Sequence, residues 1–136
     1  MHNFLKDIKL LNTLETNTLN AYFYNNFVVV EVSEGVNLNF KSGFSLLLKG
    51  LQIHGTRPFI YISNRINSYS LNPNDYKYLE KIPTLKGLAI VSNSKDLQLM
   101  AKMESQFFVK KPFEMFDDIQ NAHEWGEMVL SKDFSI

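Results

Sequence analysis

The sequence predicts an α/β domain built on a four- to five-stranded, mostly parallel sheet that begins with an antiparallel hairpin. Two short apolar runs, Phe59-Ile60-Tyr61-Ile62 and Leu88-Ala89-Ile90-Val91, have the character of strands covered on both faces. Segments of helical period alternate with them, so right-handed crossovers join neighbouring parallel strands. The 136 residues are 45% hydrophobic and include 11 Phe, 6 Tyr and 1 Trp, enough apolar area for one core spanning residues 1–136.

Residues 1–18 show weak periodicity and read as a loosely attached segment. Phe4, Ile8 and Leu11 share a face if it is helical; residues 8–11 form a short strand if it is not. Ala21-Tyr22-Phe23-Tyr24 and Phe27-Val28-Val29-Val30-Glu31-Val32 are then aromatic and β-branched runs split by Asn25-Asn26, a dipeptide that tolerates positive φ in a two-residue turn. Phe40, Phe44, Leu47, Leu48 and Leu51 line one helical face, and Gly55 caps its end before Pro58. The strand at 59–62 leads into a polar loop, 63–72. Asn72 as cap and Pro73 at the first position restart a short helix that ends near Ile82-Pro83.

After the strand at 88–91, Ser92-Asn93-Ser94 opens a third helix, with Asp96 favoured in its first turn. Leu97, Met100, Ala101, Phe107 and Phe108 read as its inner stripe, and Lys110-Lys111-Pro112 breaks it. Residues 113–116 supply a last short strand. Asp117-Asp118-Ile119-Gln120 has the form of a capping box, with Asp117 accepting from the first turn. The final helix buries Ile119, Ala122, Gly126, Val129 and Leu130, with Trp125 at the margin of the stripe.

Fourteen basic residues balance 14 acidic ones, which supplies no global attraction to nucleic acid or anionic lipid. The balance is uneven along the chain: residues 1–111 carry 13 basic and 8 acidic groups, residues 112–136 carry 1 and 6. A solvated acidic helix accounts for such separated charges, as does docking of that helix onto a second subunit, and a homodimer is expected. The absence of cysteine excludes a disulfide framework, a thiol nucleophile and thiolate metal sites. The opening residues lack a basic flank followed by a sustained apolar core, and no apolar run reaches spanning length, so a cytoplasmic protein without a transmembrane segment is expected.

Most catalytic patterns fail on spacing. The six glycines form neither a dinucleotide fingerprint nor a P-loop, and no serine stands in a nucleophile elbow. His2, His54 and His123 lack metal-ligand spacing, and helix capping accounts for Asp117 and Asp118, so neither a metal nor a cofactor is expected. Lys110 and Lys111 beside Phe107-Phe108 are too few for a nucleic-acid surface.

One stretch stands apart. Ser63, Asn64, Arg65, Asn67, Ser68, Tyr69 and Ser70 gather just beyond the carboxyl end of a parallel strand, where open α/β sheets place their ligands. The chain has only two arginines, Arg57 and Arg65, one on each side of that strand. Arg65 suits bidentate binding of an anionic group; alternatively the loop satisfies its own backbone through Asn and Ser side chains, with Arg65 tying down a helix end or a carboxylate.

The run Tyr61-Ile62-Ser63-Asn64-Arg65-Ile66-Asn67-Ser68-Tyr69-Ser70-Leu71-Asn72-Pro73, the Leu88-Ala89-Ile90-Val91 strand and the closing Ala122-His123-Glu124-Trp125 helix resemble small bacterial STAS-like proteins of the SpoIIAA-like, STAS/SEC14-domain kind. The resemblance covers roughly residues 20–130. It implies helices packed mainly on one face of the sheet, no catalysis, and either protein–protein regulation or binding of a small or lipid-like ligand. STAS antagonists switch by phosphorylation of a serine in an Asp-Ser-Ser-Gly-type turn. The comparable residues here are Ser63, Ser68 and Ser70, without the acid or the glycine.

The expected function is therefore a non-enzymatic regulatory or protein-interaction module acting through the loop after the strand at 59–62. The alternative is a carrier or sensor holding a small anionic or lipid-like molecule, the latter among Phe40, Phe44, Phe107, Phe108 and Trp125.

Overall fold

A computed structural model describes residues 5, 8–39, 45–52 and 55–134, with the side chains of 46–48, 133 and 134 left aside. Phe40, Phe44 and His54, and the side chains of Leu47 and Leu48, lie outside the described residues. In chain order the elements are β1 (Asn12–Glu15), β2 (Leu19–Phe23), β3 (Phe27–Val32), β4 (Asn37–Leu38), α1 (Ser45–Leu51), β5 (Phe59–Asn64), β6 (Ser70–Leu71), α2 (Tyr76–Glu80), β7 (Leu85–Val91), α3 (Lys95–Glu104), β8 (Phe113–Phe116) and α4 (Ile119–Phe134). A 3₁₀ turn, Pro73–Asp75, precedes α2, and another, Ser105–Phe107, extends α3.

The main sheet has six strands in the order β1-β2-β3-β5-β7-β8, against the four or five predicted. β1, β2 and β3 form an antiparallel meander, and β3, β5, β7 and β8 are parallel. The additional strand is β1, whose residues Asn12-Thr13-Leu14-Glu15 are mostly exposed. An edge strand of this kind needs no apolar alternation, which is why its sequence carries no strand signal. The hairpin turns at Asn25-Asn26 as predicted, with the Tyr24 N–H bonded to the Phe27 carbonyl at 2.8 Å. Asn26 also ties that turn to Pro58 through a 2.7 Å bond from Nδ2. β4 and β6 make a separate two-stranded parallel ladder.

From β3 onward each parallel strand is added on the same side of the last. Right-handed crossovers that step in one direction set their helices on one face. Accordingly Leu51 of α1, Tyr76 and Leu79 of α2, and Ala101 of α3 join one core with Phe23, Val28, Val30, Tyr61, Leu88 and Ile90. α4 follows the last strand and covers the opposite face, where Ala122 and Leu130 meet Tyr22, Phe27, Val29, Ile60, Ile62 and Ala89. Both faces are thus covered, three helices on one and α4 on the other. Alternate residues of β3 and β5 serve the two cores, as the period of a strand requires.

α4 uses the predicted stripe. Gly126 permits its closest approach, since a Cβ there would stand 2.5 Å from Phe27 Cε2. Its cap is one residue later than predicted: the Asp118 carboxylate accepts from the Asn121 N–H at 2.8 Å, while Asp117 accepts from Gln98 Nε2 at 2.7 Å. No described helix is long and apolar enough to cross a membrane.

α3 departs most from its sequence pattern. Ala101 and Glu104 are its buried residues, whereas Leu99, Met100 and Met103 are exposed, as is Phe107 in the turn that follows. Met100 and Phe107, predicted to face inward, face outward. Buried Phe108, just beyond that turn, is the one large side chain of the predicted inner stripe that reaches the core. An acid therefore occupies the centre of the inner face, and the large apolar side chains line the outer one.

Candidate functional site

The residues beyond β5 are held down along their whole length. Asn64 Nδ2 donates to Glu31 Oε2 at 2.9 Å, and Asn67 Nδ2 to the Val32 carbonyl at 3.1 Å. The Ser68 N–H reaches Glu34 Oε1 at 3.1 Å, and Ser70 Oγ donates to Asn37 Oδ1 at 3.1 Å. Backbone bonds from Gly35 to Ser68 and from Ser70 to Val36, with the β4–β6 pairing, complete the attachment. Asn64, Asn67, Ser68 and Ser70 thus bond to the segment 31–37, and only Ser68 and Ser70 of these are exposed.

Ser63, Arg65 and Tyr69 turn the other way, into the core. Arg65 has a side-chain exposure of 3% and forms a two-pronged ion pair with Glu104, at 7%: Nη1 to Oε2 at 2.8 Å and Nη2 to Oε1 at 2.5 Å. Nε donates to Ser63 Oγ at 3.2 Å, Nη2 also reaches Tyr76 Oη at 3.2 Å, and the guanidinium lies 5.5 Å from the centre of the Tyr69 ring. Tyr76 in turn donates its hydroxyl hydrogen to Glu104 Oε1. The fork geometry that suits Arg for an external anion is spent on an acid of the same chain.

Burial alone would lower the pKa of the Arg65 guanidinium; Tyr69, Glu104 and Tyr76 overcome it and hold the value above the ordinary range. For Tyr76 burial comes first and raises the pKa, Arg65 opposes it, and Glu104 raises it further, so the phenol stays neutral well past its usual range. The neighbouring cavity, lined by Tyr61, Ser63, Arg65, Tyr69 and Tyr76 among others, is about 30 Å³, too small for an organic ligand.

A larger cleft of about 420 Å³ opens at the carboxyl ends of β5, β7 and β8, bordered by Asn64, Ile66, Ser92, Asn93, Ser94 and Asp117. This is the position where parallel sheets take ligands. Several of its polar groups are engaged locally: Gln98 Nε2 donates to both the Ser92 carbonyl and Asp117, the Ser94 N–H donates to Ser92 Oγ, and Ser94 Oγ caps α3 at Leu97. Among the described residues no group of three or more His, Asp or Glu is placed to hold a metal. His123 lies on α4, edge-on to Phe27 with ring centres 4.8 Å apart and 3.1 Å from Glu127.

The described aromatics of the carrier hypothesis are not brought together. Phe108 belongs to the core under α1–α3, Trp125 packs on Phe116 against the opposite face, and Phe107 is exposed.

The outer side of α3 was missed by sequence reasoning. Leu99, Met103 and Val109 are 63%, 68% and 73% exposed, and Met100 and Phe107 are also open to solvent. Leu99, Met100 and Met103 lie at helical spacing on one side of α3, an exposed apolar side of the kind that marks an interaction surface, and Phe107 and Val109 follow it beyond the helix. Glu104 and Tyr76 were missed as well. The available signal was that Glu104 follows Leu97 and Ala101 and precedes Phe108 at helical spacing, which places an acid on the inner stripe.

No family model, curated protein or solved structure matches the chain.

Proposed function

We propose that this chain is a non-catalytic interaction module whose contact surface is the outer side of α3. One observation carries this reading: α3 buries Glu104 and leaves Leu99, Met100 and Met103 in solvent. A helix under selection only for packing places its apolar side chains inward and its acids outward. Here the inward acid is secured by Arg65 and Tyr76, which fixes the helix with its apolar side presented. Methionine and leucine on such a surface supply adaptable apolar contact. The STAS-like resemblance implies the same class of activity. The loop after β5 contributes by holding Arg65 rather than by receiving the ligand itself.

The test is site-specific photo-crosslinking in the cells that make the protein. A photoreactive phenylalanine at Met103 should give adducts of discrete mass, lost when Leu99→Glu is added. The same probe at Met128, 58% exposed on α4, should give none. Equal labelling at both positions, or adducts at neither, would contradict the reading.

A further inference from the structure

The polar cluster around Arg65 contains one buried group that no side chain satisfies. Tyr61 and Ser63 alternate along β5, and Arg65 continues the series, its N–H still bonded to the Val91 carbonyl of β7 at 2.8 Å. All three side chains therefore reach the same side of the sheet. Tyr61 is only 5% exposed, and its hydroxyl has no hydrogen-bond partner among the described residues. Such a group costs stability if left alone, and in folded proteins it is met by another protein group or by ordered water.

Tyr61 lines the cavity of about 30 Å³ together with Ser63, Arg65, Tyr69 and Tyr76. Arg65 has five N–H groups, and four are engaged: one with Ser63, one with Tyr76 and two with Glu104. Ser63 and Tyr69 share a single bond of 3.4 Å, so one of their two hydroxyl hydrogens lacks an acceptor. Tyr76 is complete, because it donates to Glu104 and accepts from Arg65. With the Tyr61 hydroxyl, three donors on residues lining one cavity thus remain without acceptors.

We propose that this cavity is a binding site for ordered water, which accepts from Tyr61 and joins that hydroxyl to the Arg65–Glu104 network. The surplus of donors calls for an acceptor, which a metal cation is not. Arg65 and Glu104 cancel in charge, so the acceptor is neutral; an anion would be buried beside the Glu104 carboxylate. The volume exceeds the roughly 10–15 Å³ that one water requires, and it excludes an organic molecule. Asn72, exposed, and Asp75, half-buried, also line the cavity and give solvent a way in. The site is separate from the outer side of α3 and does not depend on what that side meets.

A high-resolution crystal structure should show a water within hydrogen-bond distance of Tyr61 Oη and of a second polar atom on Ser63, Arg65 or Tyr69. Tyr61→Phe keeps the ring and removes only the hydroxyl. With water bound, the variant takes a partner from that water, and its urea midpoint should fall. Without water, the variant removes a stranded hydroxyl from the core, and the midpoint should rise. Crystals grown in bromide identify an anion by its anomalous signal. Water density together with a lowered Tyr61→Phe midpoint is the expected result. No density at that place, a bromide peak there, or a midpoint unchanged or raised overturns the proposal.

Discussion

Arg65 and Glu104, 39 positions apart in sequence, form a buried two-pronged ion pair that joins the loop after β5 to the inner face of α3. The pair decides which side of α3 faces the core. With Glu104 and Ala101 on the inner face, Leu99, Met100 and Met103 of the same helix are left exposed.

Removing one partner should be costly. Glu104→Ala leaves the Arg65 charge in the core without its acid, which is expected to destabilise the fold by about 3–5 kcal/mol. Replacing the cluster together, with Arg65→Met, Tyr76→Phe and Glu104→Leu, removes the stranded groups and should return stability to within about 2 kcal/mol of the parent. Urea unfolding measures both. A Glu104→Ala protein as stable as the parent would show that the pair does not hold α3.

Stability should also fall at high pH. Burial raises the pKa of Tyr76 well above its ordinary 10.0, and burial with Tyr69 nearby raises that of Tyr61 in the same direction. In the unfolded chain both phenols lose their protons near pH 10, so above that pH the unfolded state holds fewer protons than the folded one. Their contribution is fully present below pH 10 and is lost progressively above it. Urea midpoints measured from pH 8 to 12, alongside phenolate absorbance, should show stability declining above pH 10 while two tyrosines remain silent until unfolding.

Gly126→Ala pits helix propensity against packing. Alanine in the interior of α4 gains about 1 kcal/mol as a helix former. Its Cβ, however, would stand 2.5 Å from Phe27 Cε2 and 3.2 Å from Ile60 Cγ1, both on fully buried rings or chains of the sheet. Overpacking of this kind costs about 1–3 kcal/mol, so the substitution should lower the unfolding midpoint. A raised midpoint would mean that α4 can lift from the sheet at little cost.

The parts of this fold legible in sequence were those where one signal acted alone. The runs at 59–62 and 88–91 are apolar throughout because the strands are covered on both faces, and Asn72-Pro73 caps its turn as local chemistry dictates, with Asn72 Oδ1 accepting from Asn74 at 3.1 Å. β1 was not legible, because an exposed edge strand needs no apolar pattern. α3 misled because two stripes compete on it. The larger apolar set, which includes Met100 and Phe107, lies outside, and the inner stripe is marked by the small Ala101 and by Glu104. Arg65 was found as an unusual residue, but its partner lies 39 positions away, and no local pattern links an arginine to an acid at that separation. Asn64, Asn67, Ser68 and Ser70 were recognised as a polar cluster, and their acceptors and donors at 31–37 were equally beyond local reach.

The most direct measurement is methionine oxidation by dilute peroxide, mapped by mass spectrometry on the dilute purified protein and in a lysate of the cells that make it. Met103 and Met128 have similar exposure in the single chain, 68% and 58%. They should therefore oxidise at similar rates when the protein is dilute. In the lysate, Met103 should become protected while Met128 does not. Met103 protected in the dilute purified protein would contradict the outward placement of this side of α3, and equal rates in both preparations would contradict the proposed contact surface.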